Sequence, residues 1–226
     1  MTAAVGVVVF PGSNCEHDVA EAVAHLGGEP RLVWHADRDL GPVDAVVLPG
    51  GFAHGDYLRP GAIARFSPVM SAVEEFARSG GPVVGICNGF QVLTEAHLLP
   101  GALQKNSGLT FLCQSCELIV ASEESVLTEG VPCGTRLSIP INHFEGNYTC
   151  DERTLAELEA TGRVVLRYAE NPNGSVGAIA GVANDRGNVV GLMPHPERAT
   201  LPASGSTDGA VLLSALLKSA LGRARV

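Results

Sequence analysis

Cys87 stands where an apolar run, Val83–Ile86, comes to an end, with Gly85 two positions before it and Gly89 two positions after it. A segment typical of a helix, 90–96, follows at once. This spacing predicts a nucleophile elbow, a strand, sharp turn and helix, with cysteine in place of the more common serine. The glycines leave room for the strained turn, and the first helix amides can stabilise a thiolate and later an oxyanion. The alternative is a buried structural cysteine, the usual setting of a lone cysteine beside Val and Ile.

A base for this cysteine is predicted at His195, with Glu197 as its orienting partner. A thiol with a pKa near ~8.5 is ionised to only a few per cent at neutral pH, so a catalytic cysteine needs a base. Both residues follow a predicted strand at 189–193, and the prolines flanking His195 favour an extended chain with both side chains on one face. Glu197 can then accept the imidazole N–H and fix its tautomer. The alternatives are a loop histidine and a solvated carboxylate paired with Arg198.

Gly50 and Gly51 follow another predicted strand, Ala45–Leu48, and glycines there let a backbone approach a substrate closely. An N–H from this loop would complement the N–H of the residue after Cys87, and two such donors make the oxyanion hole of acyl transfer. The alternative is a plain tight turn. Phosphate binding is disfavoured because the chain has neither a Gly-x-Gly-x-x-Gly fingerprint nor a P-loop lysine.

Composition excludes several other functions. The 226 residues, 46% of them apolar, suit one α/β domain or at most two small ones, and we predict a single domain over 1–226. The net charge of −9, from 15 basic and 24 acidic residues, argues against a nucleic-acid partner. The first basic side chain is Arg31, so the apolar segment 3–10 is interpreted as a strand rather than a secretory signal. No apolar run approaches the ~18 residues of a membrane span. We therefore expect a cytoplasmic protein without a membrane partner.

The six cysteines are expected to be thiols, because a chain without a secretory signal resides in a reducing compartment. Cys113 and Cys116 form a C-x-x-C pair, but a structural zinc site needs a second close pair. Cys133 and Cys150 are too far apart in the chain to supply one. A redox pair should open a helix, whereas this one runs into a predicted strand. We assign no metal and no role to this pair.

Strands and helices alternate through the first hundred residues. The predicted strands are 5–10, 31–34, 45–48 and 83–86, and the predicted helices are 16–26, 68–78 and 90–96, the first capped by Ser13 or Asn14 and the second by Ser67. This alternation predicts a parallel sheet with helices on both faces. Its ligand site would lie beyond the carboxyl ends of the strands, where 11–14, 50–52 and Cys87 gather.

The second half of the chain is richer in strands. The predicted strands are 116–120, 136–141, 164–168, 177–182 and 189–193, with helices at 151–159 and 209–221. Turn signals such as Asn173-Gly174 separate the strands. This half is therefore predicted to add an antiparallel sheet region.

Three motifs resemble those of the class I (triad) glutamine amidotransferases: Gly-Ile-Cys-Asn-Gly-Phe-Gln at 85–91, Pro-Gly-Gly-Phe at 49–52 and His-Pro-Glu at 195–197. The resemblance implies a flavodoxin-like α/β fold, an open and mostly parallel sheet flanked by helices. Within that class, the stretches 10–15, 55–64 and 193–198 are similar to the glutaminase subunits of phosphoribosylformylglycinamidine synthase.

The resemblance also implies roles for individual residues. Cys87 would attack the side-chain amide of L-glutamine, His195 would shuttle the proton, and Glu197 would orient His195. The N–H groups of Gly51 and Asn88 would hold the oxyanion. The implied substrate-binding residues are Gly50, Phe52, Gln91, His143 and Phe144. Phe144 departs from related chains, which often carry a small residue there, and His143 keeps the alternative of a histidine hydrogen-bonded within a turn.

The implied chemistry needs partners but no cofactor in this chain. A glutamyl thioester forms, ammonia leaves, and water releases glutamate. A separate ATP-dependent synthetase subunit, which holds ATP and Mg, would use the ammonia to convert a formylglycinamide ribonucleotide to the amidine during purine synthesis. A small bridging subunit would join the two. Two other hypotheses stay open: a stand-alone cysteine hydrolase of the same architecture, and a non-catalytic flavodoxin-like binding module.

Overall fold

A computed structural model describes residues 2–223 of the chain. The single domain predicted over 1–226 includes position 1 and 224–226, which lie outside the described residues. The strands are β1 Ala4–Val9, β2 Glu29–Trp34, β3 Ala45–Leu48, β4 Val83–Ile86, β5 Ala102–Gln104, β6 Leu112–Val120, β7 Arg136–His143, β8 Asn147–Thr149, β9 Val164–Tyr168, β10 Ile179–Ala183 and β11 Val189–Leu192. The helices are α1 Glu16–His25, α2 Pro68–Arg78, α3 Asn88–Glu95, α4 Glu152–Ala160 and α5 Gly209–Arg223.

Nine strands form one sheet in the order β2-β1-β3-β4-β11-β10-β9-β6-β7. The pairs from β2 to β11 are parallel, and the pairs from β11 to β7 are antiparallel. Strands β5 and β8 form a separate antiparallel pair. The predicted α/β fold, an open parallel sheet joined by an antiparallel region from the C-terminal half, is confirmed.

The central parallel strands β3 and β4 lie in the core because they are apolar along their whole length. All four residues of β3 and all four of β4 are buried. Such uninterrupted burial is typical of a parallel sheet covered on both faces, where polar residues have no solvent side to occupy. Helix α3 packs against β3, β4 and β11, and α1 packs against β1 and β2.

Several boundaries and caps differ from the predictions. Cys15, rather than Ser13 or Asn14, is the N-cap of α1, and its side chain makes no capping hydrogen bond. Ser13 Oγ instead accepts from the amide of Phe10 at 3.1 Å, which stabilises the turn after β1. Ser67 is the N-cap of α2 but makes no side-chain capping bond. Asp151 caps α4 by accepting from the Thr154 amide at 2.7 Å.

The C-x-x-C pair lies inside a strand. Cys113 and Cys116 both belong to β6, where Cys113 is exposed and Cys116 is buried. Residues three apart in a strand point to opposite faces of the sheet, so these two sulfurs do not converge on a shared ion. The predicted strand 177–182 is also shorter than expected, because Gly177 lies in a 3-10 turn with a φ of 58°. Within the described residues, no helix has the length and apolar character needed to cross a membrane.

Candidate active site

Cys87 occupies the predicted elbow between β4 and α3. Its backbone has φ 51° and ψ −104°, a strained conformation that costs a non-glycine residue about 1–3 kcal/mol. Its amide donates to the Leu192 carbonyl at 2.8 Å, which ties the turn to β11. A Cβ on Gly85 would lie 2.6 Å from the backbone of Gly89, so only glycine permits this close packing of strand and helix. The elbow conformation predicted from the glycine spacing is confirmed.

Sheet pairing brings the catalytic candidates together. Strand β11 lies parallel to β4 with Leu192 opposite Ile86. The segments that follow these two strands therefore leave the sheet at the same edge. Cys87 directly follows β4, and His195 lies shortly after β11. The His195 amide donates to the Pro140 carbonyl of β7 at 2.8 Å, and this hydrogen bond fixes the position of the His195 backbone relative to β7.

His195 and Glu197 form a buried pair. Imidazole Nδ1 and carboxylate Oε1 are 2.6 Å apart, and the side chains are 2% and 0% exposed. The extended chain that we predicted for this segment is wrong: Pro196–Arg198 forms a 3-10 turn. Proline is well suited to the first position of such a turn, and the Arg198 amide closes it on the His195 carbonyl at 3.1 Å. The turn, rather than a shared strand face, brings the carboxylate to the imidazole.

The electrostatics of the site favour a charged imidazole. Burial, the largest single influence, would lower the pKa of His195. The Glu197 carboxylate, helped by the sulfurs of Cys87 and Cys15, outweighs burial and raises this pKa well above its usual value. Imidazole Nε2 has no hydrogen-bond partner among the described residues. It is therefore available to exchange a proton with a thiol or a substrate.

A small pocket of about 50 Å³ opens beside Cys87. The predicted residues that line it are Gly51, Phe52, Cys87, Gln91, His143, Phe144 and His195. The structure thus brings most of the predicted site together around one cavity.

The two predicted oxyanion donors have free backbone amides. Within residues 2–223, the Gly51 N–H donates to no backbone carbonyl, and Asn88 begins α3, where an N–H lacks an intrahelical acceptor. Gly51 has a φ of 147°, and a Cβ there would lie 2.7 Å from Ser13 Cα. The Asn88 side chain faces inward and accepts from the Ala53 amide at 2.9 Å. This hydrogen bond links the loop that contains Gly51 to helix α3, which begins with Asn88.

Gly50 lies behind the site rather than on the pocket wall. A Cβ on Gly50 would lie 2.7 Å from His195 Cε1 and 3.1 Å from Cys15 Sγ. Its carbonyl accepts from the amides of Asn14 and Cys15 at 3.4 and 3.3 Å. The structure therefore does not bring Gly50 to the pocket as the predicted substrate contact. The residue makes room for the imidazole.

His143 and Gln91 are held firmly in the pocket wall. His143 is buried, its Nδ1 lies 3.1 Å from Asn106 Oδ1, and its Nε2 has no hydrogen-bond partner among the described residues. Burial, and then the nearby His195, lower the pKa of His143 to about 4, so the ring is neutral at pH 7. Gln91 Nε2 donates to the Glu145 carbonyl at 2.6 Å. Phe52, 51% exposed, stands at the pocket mouth.

Sequence reasoning assigned no role to Cys15 or Asp56, which also line the pocket. Both stand within the stretches 10–15 and 55–64 that carried the resemblance, so those motifs were the available signal. Asp56 Oδ1 accepts from Asn88 Nδ2 at 3.1 Å. Burial raises the pKa of Asp56 to about 6, and Glu145 adds to this rise while the Asn88 hydrogen bond opposes it.

A cysteine on a strand-to-helix elbow, a buried His–Glu pair and free backbone amides at the carboxyl edge of a parallel sheet define the class of triad amidotransferases. The sequence model of the CobB/CobQ-like glutamine amidotransferase domain matches residues 2–209. The chain belongs to this family of glutamine amidotransferases.

Particular relatives cover nearly the whole chain. The chain is 59% identical over 216 residues to the phosphoribosylformylglycinamidine synthase subunit PurQ of Rubrobacter xylanophilus, covering 96% of this chain and 98% of the relative. It is 54% identical to PurQ of a Nostoc species, covering 97% and 99%. The structure of PurLQS from Thermotoga maritima contains a chain similar to this one, with a TM-score of 0.89, 42% identity and coverage of 96% and 99%. The structure of a GMP synthase component from Thermoplasma acidophilum, 15% identical with a TM-score of 0.67 and coverage of 100% and 98%, shares the fold.

Proposed function

We propose that this chain hydrolyses L-glutamine to glutamate and ammonia at Cys87 and supplies the ammonia to an ATP-dependent synthetase subunit. The chain is a glutamine amidotransferase subunit of phosphoribosylformylglycinamidine synthase. One observation carries the assignment of its active site: the strained Cys87 elbow and the buried His195–Glu197 pair meet at one pocket.

The thiol proton of Cys87 passes to His195 Nε2, which gives the thiolate and the imidazolium that the raised pKa of His195 favours. The thiolate sulfur then attacks the side-chain carbonyl carbon of glutamine, and the carbonyl electron pair moves onto oxygen. Glu197 keeps Nδ1–H directed toward itself, so that Nε2 is the nitrogen that exchanges protons. When the tetrahedral intermediate collapses, the C–N bond breaks, and the Nε2 proton goes to the departing nitrogen to give ammonia.

The glutamyl thioester is then hydrolysed by the same residues. His195 takes a proton from water, the resulting oxygen nucleophile attacks the thioester carbon, and the C–S bond breaks to release glutamate. The sulfur recovers its proton from His195. Both tetrahedral intermediates carry an oxyanion, for which the Gly51 and Asn88 amides are the proposed donors. Removing one such donor costs about 2.7–4 kcal/mol in the activation barrier.

The partner subunits supply the chemistry that follows. The similar Thermotoga maritima chain belongs to an assembly, PurLQS. That likeness supports a synthetase partner; we propose that this partner holds ATP and Mg, and we expect a small bridging subunit. Because the curated relatives are synthase subunits, the stand-alone hydrolase hypothesis is not supported. The cytoplasmic location and the single domain over 1–226 stay predictions.

Covalent trapping tests the nucleophile and the substrate together. The chain, alone and with its synthetase subunit, is incubated with a diazoketone analogue of glutamine, and the adduct is located by peptide mass spectrometry. We expect one adduct on Cys87, blocked by excess glutamine and absent from Cys87→Ala. Cys133→Ala is the matched control, because this thiol is exposed. Labelling confined to exposed cysteines and unaffected by glutamine would contradict the proposal.

A further inference from the structure

The donor loop, residues 51–56, is named for the proposed oxyanion donor at its start, and it is held in a conformation that costs free energy. His54 has a φ of 53° and Asp56 a φ of 52°. Both values lie in the left-handed region, where a non-glycine residue stays only when the surrounding structure holds it. The turn after β1 supports the loop from one side, since the Phe52 amide donates to the Gly12 carbonyl at 2.9 Å. A second support reaches the loop from α3.

The buried side chain of Asn88 is this second support. Its amide oxygen accepts from the Ala53 amide at 2.9 Å. Its amide nitrogen donates to Asp56 Oδ1 at 3.1 Å and to Gln91 Oε1 at 2.9 Å. The partners fix which way the Asn88 amide faces, because a backbone N–H can only donate and an ionised carboxylate can only accept. Three hydrogen bonds therefore meet at one side chain, and two of them hold the donor loop.

The hydrogen bonds of Asn88 continue across the pocket wall. Ala53 donates to Asn88, Asn88 donates to Gln91, and Gln91 Nε2 donates to the Glu145 carbonyl at 2.6 Å. All of these bonds run in the same direction, and in such a chain each hydrogen bond polarises and strengthens the next. The chain needs a group at position 88 that accepts on one side and donates on the other. An asparagine does both, whereas an ionised aspartate cannot donate and an alkyl side chain does neither.

We propose that the Asn88 side chain is a positioning group that sets the geometry of the oxyanion hole before glutamine binds. The backbone N–H of Asn88 is one proposed oxyanion donor, and its side chain holds the loop that carries the other, Gly51. One residue therefore fixes the separation of the two donors. Preorganised donors are effective because they need not move as charge develops, and a misplacement of about 1 Å can lower a rate ~10²-fold. This role rests on the proposed function of the chain.

Hydrogen exchange of the full-length chain tests the hold on the loop without reference to catalysis. In Asn88→Ala the Ala53 amide loses its acceptor, so its exchange rate, followed by NMR, should rise about 3–10-fold, the value of one hydrogen bond. Asn184→Ala is the matched control, because Asn184 also accepts from a backbone amide, that of Val189 at 3.1 Å, at the start of β11. It should leave exchange at Ala53 unchanged. Circular dichroism checks that each variant is folded, and wild-type exchange at Ala53 in folded Asn88→Ala would overturn the proposal.

Turnover tests the consequence for the reaction. Ammonia production by the chain with its synthetase subunit is measured at saturating glutamine and pH 8, where Asp56, with a pKa of about 6, is ionised. We expect Asn88→Ala to lower kcat at least ~10-fold, while alkylation of Cys87 by iodoacetamide, which needs no oxyanion hole, changes little. Asn184→Ala should keep the wild-type kcat. A smaller loss in folded Asn88→Ala would refute the positioning role.

An exchange of hydrogen-bonding groups separates positioning from a general loss of stability. Asn88→Asp keeps an acceptor for the Ala53 amide but turns a carboxylate toward Asp56, so kcat should fall at least ~10-fold. Adding Asp56→Asn supplies an N–H to the new carboxylate, whereas adding Asp56→Ala removes the same charge without supplying a donor. The first double variant should recover kcat at least ~5-fold more than the second, and a smaller difference would overturn the proposal. A wild-type complex that makes no ammonia would contradict the proposed function instead, and hydrogen exchange at Ala53 would still decide whether Asn88 holds the loop.

Discussion

Gly51→Ala is the sharpest test of the proposed oxyanion hole. The residue has a φ of 147°, and an added Cβ would lie 2.7 Å from Ser13 Cα, 2.8 Å from Asn14 N and 2.9 Å from Gly12 O. All three atoms belong to the backbone, so no side chain can rotate away and the loop itself must move. Its N–H then leaves the position that it would occupy beside a developing oxyanion.

The expected loss follows from the value of one such donor. Removing an oxyanion-hole donor lowers kcat by about 10²–10³, which corresponds to about 2.7–4 kcal/mol in the activation barrier. We expect Gly51→Ala to reduce glutamine-dependent ammonia production by this factor in the complex with the synthetase subunit. Alkylation of the Cys87 thiol by iodoacetamide should change little, because the mutation leaves the imidazole and its carboxylate in place.

Gly130→Ala is the matched control. Gly130 also has a positive φ, 75°, but a Cβ there would meet no atom within 4 Å. An alanine there has the strain of a left-handed backbone, about 1–2 kcal/mol, without displacing any neighbour. If Gly51→Ala kept kcat within about tenfold of the wild type, equivalent to ~1.4 kcal/mol, the Gly51 amide would not be an oxyanion donor.

Three further predictions concern the catalytic pair, the pocket and the core. Glu197→Gln should lower kcat by about 10³–10⁴ with little change in KM, because the amide favours the wrong imidazole tautomer, and a loss below tenfold would contradict that role. The pKa of Asp56 is about 6, so its carboxylate loses charge as the pH falls through 6. Asp56 lines the pocket, and we expect its carboxylate to attract the ammonium group of glutamine. KM for glutamine should then rise below pH 6, and Asp56→Asn should abolish this pH dependence; an unchanged profile would show that Asp56 does not bind the ammonium group. Tyr148→Phe removes the 2.9 Å hydrogen bond to the Pro100 carbonyl and should reduce the free energy of unfolding by about 1–2 kcal/mol with kcat unchanged. A thermal denaturation curve identical to that of the wild type would contradict the prediction for Tyr148→Phe.

The elements around Cys87 could be predicted because their causes are local. An apolar run that ends in a cysteine with a glycine two positions to each side has the spacing of a nucleophile elbow, and the structure shows the strained φ of 51° that such an elbow requires. The alternation of strands and helices before position 100 likewise predicted the parallel half of the sheet. The cap of α1 was wrong, because Ser13 is drawn into a bridge with Gly51 that lies far from it in the chain.

The arrangement of the site beyond Cys87 depends on contacts between distant segments. The sequence suggested an extended chain at His195, whereas the carboxylate reaches the imidazole through the Pro196–Arg198 turn. Gly50 was expected to contact substrate, but it packs against His195, a distinction that requires knowing which face of the loop meets the imidazole. No local pattern contains that information.

Residues adjacent in the chain were enough to specify the nucleophile elbow, the α/β class and the presence of a histidine and a carboxylate near a strand end. The pairing of β11 with β4, with Leu192 opposite Ile86, came only from the folded sheet, and it places His195 at the level of Cys87. The contact of Arg198 with Cys15, across 183 positions of chain, likewise exists only in the folded protein. Burial and the pairing of distant strands set these contacts, and they arise only when the whole sheet has formed.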